Sequence, residues 1–168
     1  EWGVMTKEQY EKWSFPFRTC KSGAKLLYTF DKTITGMVFL AYPALLVSFV
    51  FSQRYSDFFF CSLIPAVSFL AVSYFRKIYS APRPYEALDI YPLLNKTTKG
   101  KSFPSRHVFS IFMIAMTFFY WNMWSGIVIG IFGILLAYIR VVGGVHFPKD
   151  VAAGALFGIL CGLFYVFI

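Results

Sequence analysis

The sequence predicts an all-α protein: a bundle of about five membrane-spanning helices preceded by an amphipathic segment. Three observations carry that expectation. Of its 168 residues 58% are hydrophobic, 21% aromatic and only 14% charged, whereas a soluble domain is about 45–50% apolar and about a quarter charged. Four long stretches contain no Asp, Glu, Lys or Arg at all. Fifteen of the sixteen basic residues fall in the segments that would share one side of a five-span bundle. A soluble core of this size has too little interior for 21 Phe, 11 Tyr and 4 Trp, and the same composition excludes disordered, collagen-like and disulfide-rich classes. The length fits one domain over 1–168.

Residues 1–32 carry Lys7, Lys12, Arg18, Lys21, Lys25 and Lys32 among Trp2, Tyr10, Trp13, Phe15, Phe17, Leu26, Leu27 and Phe30. No apolar run here is long enough to span, and the basic-then-apolar order of a signal peptide is missing. The segment reads as an interfacial helix lying on anionic lipid, with a solvated tail as the alternative. The sequence opens at Glu1 without Met, consistent with residues removed upstream.

The charge-free runs are Thr33–Gln53 (21 residues), Phe58–Phe75 (18), Val108–Ile139 (32) and Val151–Ile168 (18). A crossing takes about 20 residues, so three runs fit one span each. The longest is broken by Trp121-Asn122-Met123-Trp124-Ser125-Gly126, where aromatics beside Asn and Gly suit an interfacial turn. The predicted spans are 34–53, 57–75, 104–121, 125–142 and 150–168. Gly126/Gly130 and Gly154/Gly158/Gly162 have the spacing of close helix contacts. Contact between neighbours in one bundle is preferred over a dimer face. Cys20, Cys61 and Cys161 make no disulfide framework or metal spacing and read as small apolar packers.

Five spans place loops 76–103 and 142–149 on the same side, and those loops with the span ends beside them hold both histidines of the chain. Arg76, Arg83, Arg106 and Arg140 are permanently charged forks suited to phosphate oxygens. Ser105 and the amides after it open the third span, where free N–H groups favour an anion. His146 and Asp150 are four apart. With a helix starting near Pro148, the carboxylate can hold one imidazole nitrogen and leave the other as a nucleophile. His107 is then available as a proton donor. Singly, each has a plainer reading: a structural histidine, snorkelling arginines, a capping aspartate. Their gathering on one face favours phosphoryl transfer without a metal or other cofactor.

These segments resemble the type 2 phosphatidic acid phosphatase family, membrane lipid phosphatases related in fold to the acid phosphatases and vanadium haloperoxidases. That family's pattern is K-x6-R-P, P-S-G-H and S-R-x5-H-x3-D. Arg76-x6-Arg83-Pro84 fits the first with Arg in the lysine place and Lys77 one position away. Pro104-Ser105-Arg106-His107 fits the second with Arg in the glycine place, and Arg140-x5-His146-x3-Asp150 fits the third after Ile139. The resemblance implies that His146 attacks phosphorus to give a phosphohistidine, Asp150 orients it and His107 protonates the leaving group. Arg76, Arg83, Ser105 and Arg140 would hold the phosphate, with Lys77 sharing the first position. Arg106 would add a phosphate contact or point to the headgroups. No metal is implied.

The implied partner is a membrane lipid phosphate in an anionic bilayer, not nucleic acid: phosphatidylglycerophosphate, phosphatidic acid or undecaprenyl pyrophosphate. Residues 84–102, with Tyr85, Tyr91, Leu93 and Leu94, are expected to lie over the site as a substrate-contacting loop. The family typically has six spans. The basic excess favours a cytoplasmic site, whereas many bacterial relatives act on the outer side of the cell membrane. A competing class is a lipid-binding or scaffolding protein whose motifs have decayed at positions 76 and 106. A transporter has little support, since no charge lies mid-span.

Overall fold

The computed structural model describes residues 5–167. Trp2, counted in the amphipathic segment, and Ile168, the end of the predicted fifth span, lie outside the described residues. Helix α1 (Lys7–Thr19) starts where Thr6 caps it. The Thr6 hydroxyl accepts from the Gln9 N–H at 3.2 Å and the Gln9 side-chain oxygen accepts from the Thr6 N–H at 3.0 Å. Two amides at the helix start are thereby satisfied. α1 buries Tyr10 and Ser14 and exposes Trp13 and Phe15. Tyr10 donates its hydroxyl to the Tyr91 carbonyl at 3.1 Å, Lys7 reaches the Asp89 carbonyl at 3.4 Å, and Arg18 also donates to Tyr91. α1 and the 88–105 loop therefore occupy the same end of the bundle.

A tight turn leads into α2 (Gly23–Phe51), where a Cβ on Gly23 would sit 2.1 Å from the Phe17 carbonyl oxygen. The helix starts at Gly23, not near 34 as expected. Lys25, Asp31 and Lys32 bound the apolar run without ending the helix, because lysine is a good helix former and Asp31 turns inward to an ion pair. Likewise α3 (Tyr55–Tyr79) continues past 75 through Arg76 and Lys77, cations that suit a helix C-terminus, before Ser80 ends it with φ 36°. A short helix α4 (Pro84–Ala87) follows.

The predicted break falls as expected. Helix α5 (Arg106–Trp121) and helix α6 (Met123–Val142) share Asn122, whose extended backbone turns the chain and whose side-chain oxygen accepts from the Ser125 N–H at 3.0 Å. Helix α7 (Pro148–Gly162) gives way to a 3-10 helix at Leu163–Phe167. α5 is the central helix: Val108, Phe109, Ile111, Met113, Ile114, Ala115, Thr117 and Phe118 are buried around nearly its whole circumference, against α2, α3, α6 and α7.

Gly154, Gly158 and Gly162 bring α7 close to α5. A Cβ would lie 2.6 Å from the Ser105 carbonyl oxygen, 2.7 Å from that of Phe109 and 2.2 Å from Met116 Cβ, respectively. Gly126 meets Phe119 in the same way at 2.5 Å, but Gly130 faces open space and contributes no such contact. All three cysteines are free; Cys61 is buried, whereas Cys20 is exposed in the α1–α2 turn and is not the packer the sequence led us to expect. Among the described residues four helical segments, Gly23–Phe51, Tyr55–Ala87, Met123–Val142 and Pro148–Phe167, are long and apolar enough to cross a membrane. The 16-residue α5 runs between them.

Candidate active site

Five pieces of chain meet at the end of the bundle that carries α1 and the 88–105 loop. They are the last turn of α3, the Arg83-Pro84 start of α4, the first turn of α5, the last turn of α6 and the turn into α7. The α6–α7 turn depends on Gly144, at φ 75°, where a Cβ would also strike the Tyr10 hydroxyl at 2.7 Å. Pro148 then opens α7, and Asp150 reaches back to accept the Phe147 N–H at 3.0 Å. The carboxylate is thus held at a helix N-terminus, where negative charge is favoured.

His146 and Asp150 are both 1% exposed, with Nδ1 and Oδ2 3.6 Å apart, slightly beyond hydrogen-bond reach. Ser102 bridges them: its hydroxyl donates to Asp150 Oδ2 and lies 3.4 Å from His146 Nδ1. A hydroxyl has one proton. With that proton on Asp150, Ser102 can only accept from the histidine, so Nδ1 carries the imidazole proton. Nε2 is left with a free lone pair, on a ring that lines the adjoining chamber. Burial, reinforced by the charges of Arg83 and Arg140, lowers the His146 pKa to about 4 against the opposing pull of Asp150. The imidazole is neutral at physiological pH.

The chamber has a volume of about 340 Å³. Arg76, Lys77, Arg83, Lys96, Lys101 and Arg106 line it with His107 and His146, and no carboxylate joins them among the described residues. Arg76 and Arg83 are buried, and their forks are tied to backbone carbonyls. Arg76 donates to Ser102 at 3.3 Å and to Lys101 and Pro104, while Arg83 donates to Gly100 at 3.1 Å and Val145 at 3.0 Å. Neutral carbonyls fix the forks without cancelling their charge. A planar guanidinium serves at position 76 because its donors must bridge three carbonyls at once. Lys77 lines the same chamber, and Arg106 does so with its guanidinium 5.3 Å from the Phe69 ring centre.

Two expected phosphate ligands lie elsewhere. Ser105 is fully buried outside the chamber wall; its N–H donates to the Asp150 carbonyl at 2.8 Å and its hydroxyl has no partner. Arg140 lines a second cavity of about 160 Å³ and pairs with Asp31. Nε lies 2.7 Å from Oδ1, out of line for a hydrogen bond, and the guanidinium donates to Oδ2 at 3.1 Å. His107 and Lys96 line both cavities. Burial, with repulsion from Arg83, Arg140 and Arg76, lowers the Lys96 pKa to about 8. Among the described residues no three His, Cys, Asp or Glu side chains gather as a metal site.

Sequence reasoning missed Ser102, Asp31 and Lys96. Serine two residues before a motif proline is too common to stand out. Asp31 was legible only as a single acid just outside an apolar run bounded by Lys32 and Arg54. The 84–102 loop does reach the chamber, but through Lys96, Thr98 and Lys101 rather than its tyrosines. Leu94 is buried in the core, Tyr91 is exposed, and Tyr85 is spent on the Thr98 carbonyl.

Fold and site together define a helical membrane protein with a cation-lined chamber at one end of its bundle. Residues 57–168 match the PAP2 superfamily, and the chain belongs to it. Among similar proteins, YbjG of Escherichia coli K12, whose name marks it as a candidate undecaprenyl-diphosphatase, is 40% identical over 97 residues, covering 54% of this chain and 48% of that protein. The undecaprenyl-diphosphatase BcrC of Bacillus subtilis is 28% identical over 103 residues, covering 61% and 53%. This chain spans about half the length of the curated relatives it matches. The crystal structure of Aquifex aeolicus LpxE shares its fold, with a TM-score of 0.75 over 98% of this chain and 96% of that one at 24% identity. The apolar helices and these relatives make the chain an integral membrane protein.

Proposed function

We propose that this chain is a phosphatase of membrane lipid phosphates or diphosphates that works through a phosphohistidine and needs no metal. The observation that carries the reading is the Ser102–His146–Asp150 relay opening onto a chamber of six cations. A neutral imidazole with its proton on Nδ1 is a nucleophile at Nε2, and positive charge developing on the ring in the transition state runs back through Ser102 to Asp150. Arg76 and Arg83, already rigid, meet the phosphoryl oxygens without reorganising. Arg106 and Lys77 add charge from the chamber wall. Nε2 attacks phosphorus, the bond to the leaving oxygen breaks, and His107 gives that oxygen a proton. In the free protein burial and the cations Arg140 and Lys96 lower the His107 pKa; the charge of the bound phosphate opposes them and keeps the ring protonated. Water then attacks the phosphohistidine, passing a proton to His107, and inorganic phosphate leaves with His146 restored.

An apolar cleft supports a lipid substrate. It is a cavity of about 270 Å³ between α2, α3 and α5 lined by Tyr42, Phe69 and Met113, and its Phe39 and Ile114 also border a small pocket beside His107. A hydrocarbon chain fits such a lining. Two relatives carry undecaprenyl-diphosphatase in their names, which places lipid diphosphates beside phosphatidic acid and phosphatidylglycerophosphate as candidates. The basic residues gathered at the active-site end support a cytoplasmic orientation.

Purified protein in detergent should release phosphate from at least one of these lipids without added metal. His146→Ala should abolish the release, and vanadate should inhibit competitively. No release from any of them removes the proposal.

A further inference from the structure

The two polar cavities share a wall. Lys96 and His107 line both, the nucleophile His146 lines only the first, and Arg140 lines only the second. In-line transfer puts the leaving oxygen opposite Nε2, on the His107 side, so whatever is attached to that oxygen points toward the second cavity. That cavity of about 160 Å³ is more polar than apolar in its lining, and Asn95, Lys96 and Lys32 bring a side-chain amide and two ammonium groups to it. Arg140 is held there by Asp31, and α2 brings Tyr28 and Lys32 from its exposed surface, 5.6 Å from ring centre to ammonium. One end of the cavity therefore opens at the exposed surface of α2.

Building on the phosphatase reading, we propose that this second cavity is a subsite for the lipid-proximal phosphate of a diphosphate, with Lys96 as its specificity-determining ligand. The reaction balances as follows. His146 Nε2 forms a bond to the terminal phosphorus as the bridging P–O bond breaks, and the electron pair departs on the bridging oxygen, giving a lipid monophosphate. Water then releases inorganic phosphate from the histidine. A monoester substrate expels an alkoxide, which needs the His107 proton. A diphosphate expels a phosphate monoester, whose second pKa is about 6. It leaves as a stable anion, so the gain comes from cations beside it rather than from a proton. None of Lys96, Asn95, Lys32 or Tyr28 belongs to the three motifs.

The test uses farnesyl diphosphate and farnesyl monophosphate in detergent, which share a tail and differ by one phosphate. Loss of one charge-assisted contact is worth about tenfold to a hundredfold. Lys96→Gln should lower the ratio of kcat/KM for diphosphate over monophosphate by about tenfold or more, Lys32→Gln should lower it in the same direction, and Lys96→Arg should restore most of it. His107→Ala should move the ratio the opposite way. Methylenediphosphonate, a non-hydrolysable diphosphate, should inhibit the wild type about tenfold more strongly than Lys96→Gln. Equal losses on both substrates, or an unchanged ratio, overturn the subsite and leave the phosphatase reading standing. A wild type inactive on both substrates, with methylenediphosphonate and vanadate failing to shift its melting temperature, overturns the phosphatase reading itself.

Discussion

Replacing Ser102 by alanine tests the relay at its least expected member. The hydroxyl lies 3.4 Å from His146 Nδ1 and donates to Asp150, while the direct Nδ1–Oδ2 separation is 3.6 Å. Without it the imidazole loses its one hydrogen-bond partner and keeps a carboxylate beyond hydrogen-bond reach. Asp150 retains the Phe147 N–H at 3.0 Å, so its own position survives. The bond strengthens as Nε2 takes phosphorus and the ring becomes cationic, so the loss falls on the transition state and not on substrate binding. Hydrogen bonds to charged groups contribute about 1.5–3 kcal/mol, which converts to a fall of about 10- to 150-fold. Steady-state phosphate release should show kcat and kcat/KM reduced together with KM unchanged and the melting temperature near wild type. Ser102→Ala within twofold of wild type, or a change confined to KM, refutes the relay.

The pH profile of kcat/KM should have its acid limb near pH 4, because the buried His146 stays neutral until the pH falls through its lowered pKa. An acid limb near the ordinary histidine value of about 6.5 would contradict this. Asp31→Ala leaves Arg140 buried without its counter-charge, and removing one partner of a buried pair costs about 3–5 kcal/mol. Thermal melts in detergent should show a large loss that the Asp31→Ala/Arg140→Leu double variant partly recovers; a single variant melting like wild type refutes the pairing. Gly158→Val should force α7 off α5 at a cost of about 1–3 kcal/mol, whereas Gly130→Val, facing open space, should be neutral. Equal melting temperatures for the two would refute that packing.

The all-helical bundle and the end of it where both histidines and most basic residues gather were legible because charge-free runs of span length leave the charges only at their ends. Helix ends were less so. A charge bounds an apolar run but does not end a helix, and α2 and α3 both continue through theirs, with Asp31 neutralised by a residue far along the chain. The His146 and Asp150 spacing was readable because four residues span one turn and Pro148 marks the helix start. What closes that spacing into a relay is Ser102, delivered by a loop whose path depends on Arg76, Arg83 and Glu86 gripping its backbone. No local pattern encodes such a path. The same holds for the wall between the two cavities, which Lys96 and His107 reach from different elements.

The most direct test of the account is to trap the phosphoenzyme. Wild-type protein mixed with terminally 32P-labelled farnesyl diphosphate, quenched in base within one turnover and digested, should yield a single peptide labelled at His146 on Nε2. His146→Ala should yield none. Phosphate released at an undiminished rate with no label on His146, or with label on another residue, would contradict the account at its centre.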